Sequence, residues 1–390
     1  MIVPRTWALV LAAVTSLTVI TACASDTGPD ETAAAPASAG VHSGHQAAGA
    51  APQLPLRAGE RFVNLGMPES YTPSAPSGGT DEYRCIIVDP HLTKPAFLTG
   101  AQFQPRNIPI VHHAIVFAVG PGSAAAAHAK DKEAPGEGWT CFGGNGLADE
   151  QDSAWVDTWT PGGSETLLDQ DAGFRLEPGS LMILQIHYNL LTDKGSDQST
   201  VRLRLTDGTA NTKRLVTWPV QAPTELPCAA GESGPLCDRA ASLADVGRRF
   251  GADVGTLEER MIDMCSNGKP VPGNTQHCDI PVPRPATVYA GFGHMHLLGR
   301  SIKVELNPGT PKARTLIDVP EFNFDDQRLR PLATPVDVNP GDKLRVTCTH
   351  DASLRRQLPQ LKTLPPRYVV WGDGTSDEMC LGLLTVSFRG

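Results

Sequence analysis

His294 and His296 stand two residues apart, with Met295 between them. On a strand, positions i and i+2 share a face, so both imidazoles project one way and Met295 the other. Two nitrogens on one face can be presented to a single metal ion. The same pattern also suits an ordinary polar strand face. Met379 lies in Gly374-Thr-Ser-Asp-Glu-Met-Cys380. A thioether is usually core filler; joined to two imidazoles it makes a soft, open site suited to Cu(I) rather than zinc. Cys380, immediately after it, could pin the Met through a disulfide. His112 and His113 are neighbours in Ile110-Val-His-His-Ala-Ile-Val-Phe117. Neighbours on a strand face opposite ways, so both reach one metal only where the backbone twists or the rings bind through different nitrogens. His187 could add a third nitrogen from another strand. An all-imidazole set suits copper or zinc; a pair of satisfied structural histidines is the alternative.

These side chains need strands to carry them. In Gly179-Ser-Leu-Met-Ile-Leu-Gln-Ile-His-Tyr188, Met182, Leu184 and Ile186 fall on one face, Gln185 and His187 on the other. Val201-Arg-Leu-Arg-Leu205 alternates as a half-exposed strand does. Further strands are expected over Thr287 to Gly291, Ser301 to Leu306, Lys343 to Thr347, Tyr368 to Trp371 and Leu381 to Phe388, with a turn at Asn339-Pro-Gly-Asp342. The 38 Gly and 34 Pro suit short strands and many turns. A chain of 390 residues is about right for two domains plus a leader. The polar stretch Thr206 to Thr212 is the preferred boundary, giving domains over 58–207 and 208–390. Residues 225–280 break the strand pattern. They hold four cysteines and a helical stretch, Leu243 to Met264, with Leu257, Met261 and Met264 at i, i+4, i+7. A disulfide-stapled insertion in the second domain is expected, either a stabilising flap or a lid over a substrate cleft. Charged residues are 19% and the net charge is −9, so nothing suggests nucleic acid as a partner.

Residues 1–23 read as an export signal. Arg5 supplies the positive flank, Trp7 to Ala22 is uncharged, and Ile20-Thr-Ala-Cys23 resembles a bacterial lipobox with Cys23 as the lipidated residue. The run is short for a membrane span. Residues 24–57 are an Ala-, Gly- and Pro-rich tether, and His42 and His45 are read as linker residues rather than a metal-scavenging arm. The protein is therefore expected outside the cytoplasm, on the cell envelope, held to the membrane by lipid. Of nine cysteines, eight remain beyond Cys23, an even number that reads as four disulfides in an exported chain. No C-x-x-C pair occurs, which argues against a zinc ribbon or a thioredoxin-like motif.

Taken together, Val111-His-His113, Gly173-Phe-Arg-Leu176, Leu184-Gln-Ile-His-Tyr188, His294-Met-His-Leu-Leu-Gly299 and Gly374-Thr-Ser-Asp-Glu-Met-Cys380 resemble the copper type II, ascorbate-dependent monooxygenases. The last stretch is the most specific. The resemblance runs from about Tyr83 to Phe388, apart from the insertion. It implies an all-β fold of two tandem, jelly-roll-like β-sandwich domains facing each other across a solvent-filled cleft. It implies two coppers per chain, one held by His112, His113 and His187, the other, where dioxygen and substrate bind, by His294, His296 and Met379. Ascorbate would be the reductant, dioxygen the co-substrate, and a C–H bond of a small molecule the site of hydroxylation. Cys85 would pair with Cys141, and Cys348 with Cys380. Gln185 occupies a position the family also fills with Gln.

The substrate grip departs from the pattern. Where the peptide-amidating members place an Arg on the substrate carboxylate, this chain has Phe292. An Asn and a Tyr of that pocket are replaced by Leu381 and Leu383. A C-terminal glycine peptide is therefore not the expected substrate, and an apolar pocket is. Cys278 matches a family Cys whose partner would lie beyond this chain's end. The expected pairings inside the insertion are Cys228 with Cys278 and Cys237 with Cys265. His350 is placed at the surface rather than among the ligands; His91, His128 and His277 have no companions. No partner protein is implied. The alternative to the enzyme is a lipid-anchored copper-binding or electron-transfer protein without hydroxylase activity.

Overall fold

The computed structural model describes residues 53–75, 81–134, 136–141, 144–147, 152–190, 193–324, 326–374 and 376–389. The export signal, Cys23, His42 and His45 lie outside them. The first half runs β1 (Glu60–Gly66), β2 (Asp81–Val88), β3 (Ala96–Gln104), β4 (Val111–Val119), α1 (Pro121–Glu133), β5 (Trp139–Thr140), β6 (Ser153–Trp159), β7 (Thr166–Leu167), β8 (Ala172–Leu176), β9 (Leu181–Asn189) and β10 (Thr200–Thr206). The second runs β11 (Lys213–Ala222), α2 (Arg239–Phe250), α3 (Ala252–Ser266), β12 (Thr275–Pro281), β13 (Ala286–His294), β14 (Gly299–Leu306), β15 (Arg314–Val319), β16 (Arg330–Val338), β17 (Lys343–His350) and β18 (Cys380–Phe388). The fold is all-β with a small helical insertion.

A five-stranded sheet, β5-β2-β9-β4-β6, carries His112, His113 and His187. Its inner face, with Met182, Leu184 and Ile186, packs against β3, β8 and β10 in one apolar core. A four-stranded sheet, β12-β17-β14-β15, packs on β11, β13 and β18 in a second. The alternation of these strands is what makes each sheet two-sided. One sheet spans both halves in the order β1-β10-β3-β8-β11-β18-β13-β16. It crosses the expected boundary at 207/208 through a short parallel pairing of β8 with β11.

The helical stretch is two helices, not one. Gly251, at φ 105°, breaks it, and Asp238 caps α2 by accepting the Ala241 N–H at 2.8 Å. Met264 is 54% exposed, contrary to the expected stripe. The buried face of α3 runs instead through Glu258, Met261 and Ile262. A buried carboxyl group sits on that face, which is why counting apolar residues set its angle wrongly. The last residues of the 225–280 segment form β12, a sandwich strand paired with β17.

Cys85 is bonded to Cys141 and Cys348 to Cys380. The insertion's pairings differ from expectation: Cys228 joins Cys237 and Cys265 joins Cys278. Cys228 and Cys237 flank one short loop ahead of α2, and α3 runs back against β12 to set Cys265 beside Cys278. Both are short closures, of 9 and 13 residues, which cost least chain entropy. Four disulfides fit an oxidising compartment outside the cytoplasm. Among the described residues, no helix is long and apolar enough to cross a membrane.

Candidate metal centre

His112 and His113 share a face because the strand carries a bulge there. The β4–β9 register runs Val111 to Tyr188, then His113 to His187, leaving His112 as the extra residue. A bulge inserts one residue and re-aims its side chain. All three rings converge through the same nitrogen. The Nδ1 atoms of His112 and His113 are 3.3 Å apart, those of His112 and His187 3.1 Å, and those of His113 and His187 3.3 Å. An ion about 2 Å from each nitrogen, the usual imidazole bond length, has ligands about 3.3 Å apart when one corner of a tetrahedron stays open. The set therefore fits one metal ion. His187 Nε2–H donates to Asp81 Oδ1 at 2.9 Å, so Nδ1 carries the lone pair that faces the other two rings. Tyr83 stacks on His187 at 4.2 Å and fixes its plane.

The second set is built by another bulge, between Val288 and Ala290. Beyond it, Gly291 and Gly293 face the core; a side chain there would meet Ile317 at 2.5 Å and Ile302 at 2.6 Å. Phe292 and His294 consequently face outward, paired across the ladder with Leu383 and Leu381. Past the end of that ladder His296 lies against the residues that precede Met379, its Nδ1 3.3 Å from the Asp377 carbonyl oxygen. The His294 and His296 rings lie 5.1 Å apart. His294 Nδ1 donates to Gln327 Oε1 at 2.7 Å, leaving Nε2 with its lone pair. Burial, with His296 adjacent, pushes the His294 pKa down to about 3, so the ring is neutral as a ligand must be.

Glu378 is buried and accepts the backbone N–H of His296 at 2.9 Å and of Leu298 at 2.6 Å. It fastens the His-x-His turn to the residue preceding Met379. Burial works against its charge, but His350 at 3.5 Å and His296 hold its pKa below the ordinary glutamate value. His350 is thus buried against Glu378, not at the surface, because alternation along β17 puts it on the same inward face as Leu344, Val346 and Cys348. Asp377 is gripped by Arg249 of α2 at 2.7 and 2.8 Å and by Arg367 at 2.9 Å. Cys380, bonded to Cys348, fixes the other side of Met379.

Phe292, Leu381 and Leu383 do come together, in a closed apolar cluster with Met261 of α3, Trp371 and Met379. Beside it lies a cavity of about 10 Å³, lined in part by Trp155, Asp157, Phe292 and Leu383. That is room for about one water molecule. Among the described residues, two aromatic rings, those of Trp155 and Phe324, stand against the two sets. Trp155 of β6 packs on Phe292 at 5.2 Å and on His294 at 6.1 Å. Phe324 lies 5.4 Å from His112 and 6.4 Å from His296, touching both sets. All six candidate ligands are at most 8% exposed.

Asp81, Gln327, Glu378, Trp155 and Phe324 did not stand out in the sequence. Only Glu378 carried a signal, its place beside Met379 in the most specific motif. Gln185 donates to the Gly144 carbonyl at 2.5 Å and braces the loop of the Cys85–Cys141 disulfide. His91, His128 and His277 are exposed.

Residues 274–385 match the family model described as copper type II ascorbate-dependent monooxygenase, C-terminal domain. Solved structures resemble the chain only faintly. Coconut allergen cocosin is 10% identical, with a TM-score of 0.15 over 84% of this chain and 86% of that one. The 7S globulin of Momordica charantia is 9% identical, with a TM-score of 0.14 over 85% and 74%. A point mutant of Bacillus subtilis oxalate decarboxylase is 10% identical, with a TM-score of 0.14 over 84% and 78%. Likeness at that level fixes neither topology nor activity.

Proposed function

We propose that this chain, whose residues 274–385 match the C-terminal domain of the copper type II ascorbate-dependent monooxygenases, is a copper monooxygenase of that family and hydroxylates a C–H bond of a small, apolar molecule. The observation that carries the proposal is the triangle of Nδ1 atoms from His112, His113 and His187, with edges of 3.1–3.3 Å. Those residues would hold one copper. His294, His296 and Met379 would hold the other, giving two per chain. When bound, copper supplies one-electron redox chemistry with ascorbate and the activation of dioxygen.

The chain's own residues do the rest. Asp81 and Gln327 orient His187 and His294 through the ring nitrogens that do not face the metal. Glu378 holds the His296 turn beside Met379. Trp155 and Phe324 keep water from the space between the two sets. Phe292, Leu381 and Leu383 offer apolar surface and no cationic clamp, which supports a neutral substrate over a carboxylate-terminated peptide. Met261 covers that surface, so α3 acts as a lid that substrate must lift. Lipid anchoring at Cys23 belongs to the same proposal, on the sequence alone.

One observation favours a second reading, a copper-binding or electron-transfer protein without hydroxylase activity: the apolar surface beside Met379 is filled by the protein's own side chains. Oxygen uptake decides. A copper-loaded protein with ascorbate should consume oxygen faster when offered small apolar compounds, and the Met379→Ala variant should not. Stimulation by a C-terminal glycine peptide alone would refute the substrate class. Two bound coppers with no stimulation across a broad panel would favour the second reading.

A further inference from the structure

The three Nδ1 atoms leave one corner of their site open. Against two of the three histidines, His112 and His187, lies a cavity of about 10 Å³. It is lined by Asp81, His112, His187 and Asn189 from the first half of the chain and by Leu297, Phe324 and Gln360 from the second. Asp81 is engaged with His187 and with the Asn189 side chain at 3.1 Å. Gln360 differs: its Oε1 is buried and accepts no hydrogen bond among the described residues. A buried acceptor left without a donor costs roughly 1–3 kcal/mol. The segment around it is firmly seated, because Leu358 and Leu361 on either side are buried in one cluster with Leu226, Leu298 and Val369. The backbone there is turned by bonds from the Leu361 and Lys362 N–H groups to the Leu358 carbonyl. The residue that carries this unmet oxygen thus borders the same water-sized cavity as two of the three imidazoles.

We infer that Gln360 is the fourth group of the three-histidine centre, its Oε1 serving the position that the nitrogens leave open. This rests on the proposed function, since it takes copper to be the ion bound there. An amide oxygen adds no charge and suits a copper(II) ion already held by imidazoles. Because Gln360 belongs to the second sandwich and the histidines to the first, metal binding also ties the two halves together.

The test loads wild type, Gln360→Leu and Gln360→Glu with two equivalents of Cu(II), then records electron paramagnetic resonance spectra and copper affinities. In Gln360→Leu one of the two copper signals should shift, and the affinity of that site should fall about 10–100-fold. Gln360→Glu, which keeps an oxygen in place, should recover most of the affinity. Unchanged spectra and affinities in Gln360→Leu would overturn the inference while leaving the proposed function standing. A wild type without copper at the three-histidine site would overturn both. Should the Leu variant fail to fold, Gln360→Asn keeps the amide but shortens its reach by one carbon, and the same two readouts decide.

Discussion

Glu378 and His296 are joined by a 2.9 Å hydrogen bond in which the backbone N–H of His296 donates to Oε2 of the carboxylate. This bond ties the His-x-His turn to the segment bearing Met379, and the other carboxylate oxygen takes the Leu298 N–H. Glu378→Gln would turn an NH₂ group toward one of these donors. The variant should lose about 2–3 kcal/mol, read by denaturant titration of the metal-free protein. Copper should be lost from the Met379 centre before the three-histidine centre. Equal loss from both would mean that Glu378 is a general stabiliser rather than a positioning residue.

Phe324 reaches both sets of histidines. Truncating it to Ala removes the ring that fills the space between them. The expected cost is about 2 kcal/mol, below the range for a fully buried Phe because this ring is half-buried. Water-proton relaxation by the Cu(II)-loaded protein should rise. No rise would show that Phe324 does not exclude water from the centres.

Asp157 lies in the interface between β6 and the second sandwich, where burial raises its pKa from 3.8 to about 7. The folded protein holds a proton there that the unfolded chain releases. Its contribution is therefore fully present below about pH 4 and fades as pH climbs to about 7. At roughly 1.4 kcal/mol per pKa unit, the window spans on the order of 4 kcal/mol. Asp157→Asn should flatten the stability profile between those limits, as measured by chemical denaturation at a series of pH values. A profile identical to wild type would contradict the assignment.

Cys265–Cys278 fastens α3, whose Met261 rests in the cluster with Phe292 and Met379. Replacing both cysteines by Ala should cost about 3 kcal/mol, the order set by a loop of this length. It should also increase accessibility at Met261, seen as faster oxidation by dilute peroxide. The loop that the Cys228–Cys237 pair closes contributes no residue to that cluster. Its removal should lower stability without exposing Met261. Peptide mapping that joined Cys228 to Cys278 would contradict this account of the insertion.

Much of the fold was legible because strands declare themselves by alternation. In β9, Met182, Leu184 and Ile186 enter the core, while His187 faces away from it. Of the candidate ligands, His112, His113 and His187 are brought together by the structure, and they were legible because clustered imidazoles in strand contexts are rare. What joins them was not. Whether His112 and His113 share a face depends on a single bulge, and no residue type in that stretch encodes one. Asp81 and Gln327 are single polar residues far along the chain from the histidines they hold, so no local spacing marks them. The insertion misled for a different reason. Its buried face includes Glu258, a residue that apolar counting assigns to solvent, and its cysteines pair across short loops rather than across the segment.

The central claim is that two differently built copper centres share one chain, one of them carrying sulfur from Met379. Copper analysis joined to X-ray absorption at the copper edge of the reduced protein tests it most directly. The account predicts two coppers per chain and a sulfur scatterer that disappears in Met379→Ala while the imidazole signal persists. A wild-type protein with fewer than two coppers, or sulfur scattering unchanged in Met379→Ala, would contradict it.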